Sequence, residues 1–105
     1  MRKSPDLNVM HKTCVFLRNY TKHDIGVAIM GNELLLNDWT DKKVIYREPL
    51  DNKGLERFCF KILKLRDAIY QVWIIQSNQV VKDFEKNRLS LEYVKSIFGY
   101  IPKLI

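Results

Sequence analysis

The chain is poor in the residues that reactive chemistry uses. Of its 105 residues only two are cysteine and two are histidine. His11 and His23 lie twelve apart, with no cysteine or carboxylate at metal-ligand spacing, whereas a metal site needs convergent, paired ligands. Glycine is scarce at four residues, and none belongs to a phosphate-cradling loop or a nucleophile elbow. No Ser, His and Asp arrangement is present, and Glu48 and Asp51, near Pro49, read as loop acids. The expectation is a non-enzymatic chain with no metal, no cofactor and no small-molecule substrate.

Long apolar runs are missing as well. The longest, residues 72–75, is far too short to span a bilayer. The first eleven residues are basic but lack an apolar core and a small-residue cleavage site, so they form no signal peptide. A cytoplasmic protein without a membrane partner is expected. Two cysteines in such a chain, Cys14 and Cys59, are expected to be reduced thiols in apolar surroundings. Acidic residues are the minority: twelve Asp and Glu against eighteen Lys and Arg give a net charge of +6. That excess bears on partners rather than on fold, and is compatible with a nucleic acid, an acidic protein or plain solubility.

What is present is an ordinary globular composition, 47% hydrophobic and 11% aromatic, in a length that suits one domain with one core. Residues 1–11 read as a flexible arm and residues 12–105 as a single α+β domain. Residues 12–19 (KTCVFLRN) are rich in β-branched and aromatic side chains and predict a strand. A polar stretch follows, with Gly26 closing a turn. Residues 27–30 and 33–36 flank Gly31-Asn32, a dipeptide suited to the positive φ of a two-residue hairpin. Asn37 or Asp38 is placed to cap a single turn that tucks Trp39 under the sheet, and residues 44–46 supply a further short extended piece.

The period then changes. Leu55, Phe58, Ile62, Leu65, Ile69 and Val72 step by three and four, the spacing of one helix face. Asp51 or Asn52 caps this long helix, which reaches at least Ile75 and, through Val80 and Val81, as far as Phe84. Asn87-Arg88 breaks it. Ser90 caps a short second helix with Leu89 and Val94 at the staple positions, and Gly99 ends it. The predicted fold is a small antiparallel sheet of about three strands on one long helix, plus a short C-terminal helix.

This order of elements resembles the N-terminal arm-type DNA-binding domain of tyrosine recombinases, in the form carried by integrases of Bacteroidetes phages and conjugative transposons. The matching features are Val15-Phe16-Leu17-Arg18 with a basic turn, a hairpin leading into Asp38-Trp39-Thr40-Asp41-Lys42-Lys43-Val44, the long helix, and the closing segment from Leu89-Ser90 to Phe98-Gly99. The segment from Gly26 to Trp39 is shorter than the usual strand, turn and strand of that family. The resemblance implies a module that binds duplex DNA through its sheet, meets other integrase subunits and cuts nothing. The family's catalytic Arg, His and Tyr belong to a separate domain, so a cut domain of a longer protein is implied.

Candidate DNA contacts are Arg18, Lys22 and His23 at the first turn and Lys42, Lys43 and Arg47 after Trp39, because cations at turn tips and sheet edges reach phosphates. Lys53, Arg57, Lys61 and Lys64 share one sector of the long helix, either a phosphate stripe or an ordinary solvated face. Trp39 could stack on a base, but a lone Trp among polar turn residues more commonly anchors a loop. A second reading is a protein-interaction module of a mobile element or phage. It would use the long helix, with Ile69, Tyr70 and Trp73 facing a partner.

Overall fold

A computed structural model of the chain describes residues 7–77 and 83–104. Its elements are α1 (Leu7–Thr21), β1 (Ile25–Met30), β2 (Glu33–Asp38), β3 (Lys43–Pro49), α2 (Asn52–Gln76) and α3 (Phe84–Phe98). The three strands form one antiparallel sheet in the order β1-β2-β3. The fold is therefore α+β, with one long helix and a short C-terminal helix. No helix among the described residues is long and apolar enough to cross a membrane.

The hairpin forms where its turn chemistry places it. Met30 pairs with Glu33 across Gly31-Asn32, and Gly31 alone takes a positive φ, +59°, as a type II′ turn requires at its first central position. Gly26 closes no turn; it lies inside β1, opposite Asn37. In β3 the partner register jumps from Leu36–Tyr46 to Asn37–Val44, which leaves Ile45 as a bulge. Glu48 and Pro49 belong to this strand rather than to a loop.

Residues 12–19 form no strand; they are the body of α1. Met10, Thr13, Cys14, Leu17 and Thr21 are all buried, and their spacing of 3, 1, 3 and 4 makes one helical stripe. This stripe begins inside the predicted flexible arm, so Leu7 to His11 are helical too, while residues 1–6 lie outside the described residues. Local β propensity gives way because it reflects packing context more than backbone preference. The threonine hydroxyls donate to the carbonyls of Val9 and Leu17 at 2.7 Å, so burying them leaves no polar group unsatisfied. Lys22 ends the helix in the left-handed region at φ 61°.

The long helix follows its periodicity. Asp51 is its N-cap, accepting from the Gly54 N–H at 2.7 Å. Phe58, Ile62, Leu65, Ile69 and Val72 are fully buried against the sheet and α1. Of the residues offered to a partner in the second reading, Ile69 is thus part of the chain's own core, whereas Tyr70 is exposed. Trp73 meets Tyr20 edge-on and stacks on Tyr70.

Asn87 and Arg88 break nothing, and Ser90 caps nothing: α3 starts at Phe84, where Asp83 accepts from the Lys86 N–H. Asp83 caps the helix seven residues before Ser90, about two turns, so Asn87 and Arg88 fall inside it. Leu89 is consequently exposed rather than stapled. Asn87 accepts from the Gln71 side chain at 2.8 Å and ties α3 to α2. Gly99, at φ 82°, ends the helix as expected. Val80 and Val81 lie outside the described residues. Cys14 and Cys59 are free, and burial pushes the Cys14 thiol pKa up, away from the reactive thiolate.

Candidate nucleic-acid interface

The helices pack on one face of the sheet only. Leu34 and Leu36 point into that core, so by strand alternation Glu33, Leu35 and Asn37 point to the other face. Their register partners Ala28, Val44 and Arg47 share it. A shallow depression of about 590 Å³ runs over this outer face, lined by Met30, Leu35, Trp39, Lys42 and Arg47 among others. No helix among the described residues covers it.

Trp39 is not tucked under the sheet. It is 47% exposed and lies on the outer face over Gly26, where an added Cβ would come within 2.9 Å of its ring. The absence of a side chain at Gly26 is what lets the indole lie flat across β1. The Arg18 guanidinium closes the same corner, donating to the Ile25 carbonyl at 3.1 Å. Arg47 is 59% exposed and meets Glu33 at 3.3 Å. Such exposed pairs contribute about 0–1 kcal/mol, so Arg47 is easily released to a phosphate. Lys42, exposed, sits at the tip of the β2–β3 turn in the left-handed region, φ 56°.

The six predicted contact residues separate. Arg18, Lys42 and Arg47 gather around Trp39. Lys43, one residue on, also lines the depression but pairs with Asp38 in the ladder. Its Nζ donates to the Ile97 carbonyl at 2.9 Å and lies over the Phe98 ring, a structural tie rather than a free cation. Lys22 is exposed at the α1–β1 turn and lines neither this depression nor the groove beside β1.

His23 is inside the fold. Its side chain is 13% exposed, and Nδ1 lies 2.7 Å from Oδ2 of the fully buried Asp38. Asp38 Oδ1 accepts from the Asp41 N–H, and the Tyr100 hydroxyl donates to Asp41 Oδ2. Ligand-type atoms of His23, Asp38 and Asp41 come within 4.8 Å of one another, a convergence that linear spacing along the chain conceals. What these contacts do is fix the turn that carries Trp39 and Lys42, because a buried carboxylate persists only where it is hydrogen-bonded.

The cations of the helix stripe are mostly exposed but are engaged within the fold. Arg57 and Lys61 both reach Glu48, at 3.0 and 2.5 Å, and Lys61 and Lys64 lie over the rings of Tyr46 and Tyr93. Glu48 is thus a buried acid held by two cations, chiefly by the Lys61 hydrogen bond, which lowers its pKa. A lowered folded-state pKa means stability that is full above the unfolded value and lost as pH falls through the folded one. The stability advantage of the native chain over Glu48→Gln is therefore expected to shrink as pH falls from about 5 to about 3. Melting temperatures across that range check it; a constant difference would refute the pairing.

Sequence reasoning missed Met30, which carries no charge to draw notice; only its register opposite Glu33 places it on the outer face, where it is exposed beside the buried Leu35. None of the family models, curated proteins or solved structures compared with the chain matches it.

Proposed function

We propose that this chain is a non-catalytic DNA-binding module that lays the open face of its sheet on duplex DNA, in the manner of the integrase arm domains it resembles. The observation that carries this reading is the uncovered outer face, which gathers Trp39, Lys42 and Arg47 with Arg18 at its edge. Three strands at ~4.8 Å spacing span ~10 Å, comparable with the ~12 Å major groove. Arg18, Lys42 and Arg47 would meet phosphates or guanine edges, and the exposed Met30 supplies apolar surface beside them.

The test is titration of a mixed-sequence labelled duplex at several salt concentrations. Three phosphate contacts give a slope of log K against log salt of about −2.7, a loss of about fortyfold between 50 and 200 mM. Micromolar binding with that slope is the expected result. Absence of binding at 50 mM salt, despite the charge of +6, would refute the proposal.

A further inference from the structure

The two edges of the sheet differ in how they are finished. Natural sheets blunt their edges with charges, proline or bulges, because an edge strand otherwise offers its free backbone groups to any passing strand. The β3 edge has all three devices: Lys43, Arg47 and Glu48, the Ile45 bulge, and Pro49 at its end. The β1 edge, Ile25–Met30 (IGVAIM), has no charge, proline or bulge of its own; Arg18 guards it only at the Ile25 carbonyl.

Which backbone groups of β1 are free follows from the hairpin. A two-residue turn makes Met30–Glu33 a hydrogen-bonded pair, so Ala28–Leu35 and Gly26–Asn37 are hydrogen-bonded pairs as well. The Trp39 N–H bond to the Asp24 carbonyl continues the same alternation. Ile25, Val27 and Ile29 therefore turn their N–H and C=O groups away from β2. The Ile25 carbonyl is taken by Arg18. No group among the described residues bonds those of Val27 and Ile29. Their side chains continue the core face of the sheet, yet they are 38% and 62% exposed.

We propose that β1 pairs antiparallel with β1 of a second copy of this chain, joining two sheets into one of six strands. One register uses every free group: Val27 opposite Ile29 of the second copy, and the reverse, with Ala28 on the two-fold axis. It yields four interchain hydrogen bonds and packs the exposed Val27 and Ile29 side chains against their counterparts. A second copy is the fitting occupant on charge. Two chains of net charge +6 repel least where a strand carries no charge, and residues 27–30, beyond the Arg18 contact at Ile25, carry none. The antiparallel arrangement also brings the Gly31-Asn32-Glu33 turn of one copy to the Arg18 and Lys22 end of the other. An edge of six residues buries less than the ~1,200 Å² of a standard interface, so the dimer is weak, on the order of 10–100 μM. This pairing does not rest on the nucleic-acid reading, but it would set two open faces side by side.

Sedimentation equilibrium of the chain from about 5 μM to about 0.5 mM tests the proposal around that range. The expected result is a concentration-dependent dimer that becomes a monomer in Ile29→Lys, with circular dichroism and melting unchanged because Ile29 is exposed. Under oxidation Ala28→Cys should cross-link to its counterpart, since opposed Cα atoms of a non-hydrogen-bonded pair lie about 4.5 Å apart. Met30→Cys should not, because its counterpart lies about 13 Å along the strands. The unmodified chain, with Cys14 and Cys59, is the control. A monomer throughout, a dimer indifferent to Ile29→Lys, or cross-linking at position 30 instead of 28 would each overturn the pairing.

Discussion

Replacing Gly54 by Ala is expected to destabilise the protein by about 3 kcal/mol or more, at and beyond the upper end of ordinary overpacking. Gly54 lies in the first turn of α2, where helix propensity alone predicts a gain of about 1 kcal/mol for this change. The tertiary contact reverses the sign. An added Cβ would stand 1.9 Å from the Pro49 carbonyl oxygen and 3.2 Å from the Asp51 carboxylate. The first is backbone and cannot rotate away, so either the end of β3 or the start of α2 must move. Moving the helix start lengthens the 2.7 Å bond from the Gly54 N–H to Asp51, and an N-cap is itself worth about 1 kcal/mol. It also disturbs Glu48, one residue before Pro49, and its two cations. Chemical denaturation of the variant checks the prediction; unchanged or increased stability would show that the close approach of β3 to α2 is wrong.

The double reversal Lys42→Glu/Arg47→Glu is expected to weaken duplex binding by about 250-fold at 50 mM salt and to lower the salt slope by about 1.8. Each lost phosphate contact removes about 1.2 log units of counterion release at that salt. The fold should survive: Lys42 is exposed and the Arg47–Glu33 pair is half-exposed on both sides, so its loss costs at most about 1 kcal/mol. Lys43→Glu, one residue from Lys42, should behave differently. It removes the bond to the Ile97 carbonyl and the cation over Phe98, so its effect is on melting temperature first. Binding and thermal melting of both variants separate the two outcomes. Retained binding in the double variant would place the contact surface elsewhere.

The elements legible in the chain are those specified by nearby residues. Gly31-Asn32 announces the hairpin because one positive φ closes it, and Gly99 announces the end of α3 for the same reason. The α2 stripe from Leu55 to Val72 repeats long enough that only a helix satisfies it. The misread segments are those in which local signals compete. In residues 12–19 the β-branched side chains argue for strand, while the stripe that buries them extends back to Met10 and forward to Thr21. In residues 83–90 both Asp83 and Ser90 can cap a helix, and packing of Asn87 on Gln71 chooses the earlier start.

The candidate site divides along the same line. A basic cluster following a Trp was visible, but not which cation is free: Lys42 and Lys43 are equivalent as letters, and the ladder sends Lys43 toward α3 while the turn leaves Lys42 in solvent. Glu48 resembled a loop acid until the end of β3 met Arg57 and Lys61 from α2. His23 resembled a contact residue until Asp38, fifteen residues away, came within 2.7 Å of it.

By itself the sequence determined the protein's net charge, the hairpin, the start and buried face of the long helix, and the α+β class. These follow from composition and from periods and turns that span a few residues. Only the tertiary structure decided that residues 7–21 are helix, that one face of the sheet is covered by none of the described helices, which of the clustered cations lie free upon it, and that the outward groups of Val27 and Ile29 find no partner among the described residues. Those outcomes depend on contacts between residues far apart in the chain, and the energy of burying a side chain or leaving a backbone group unpaired exists only once the distant partner is, or is not, in place.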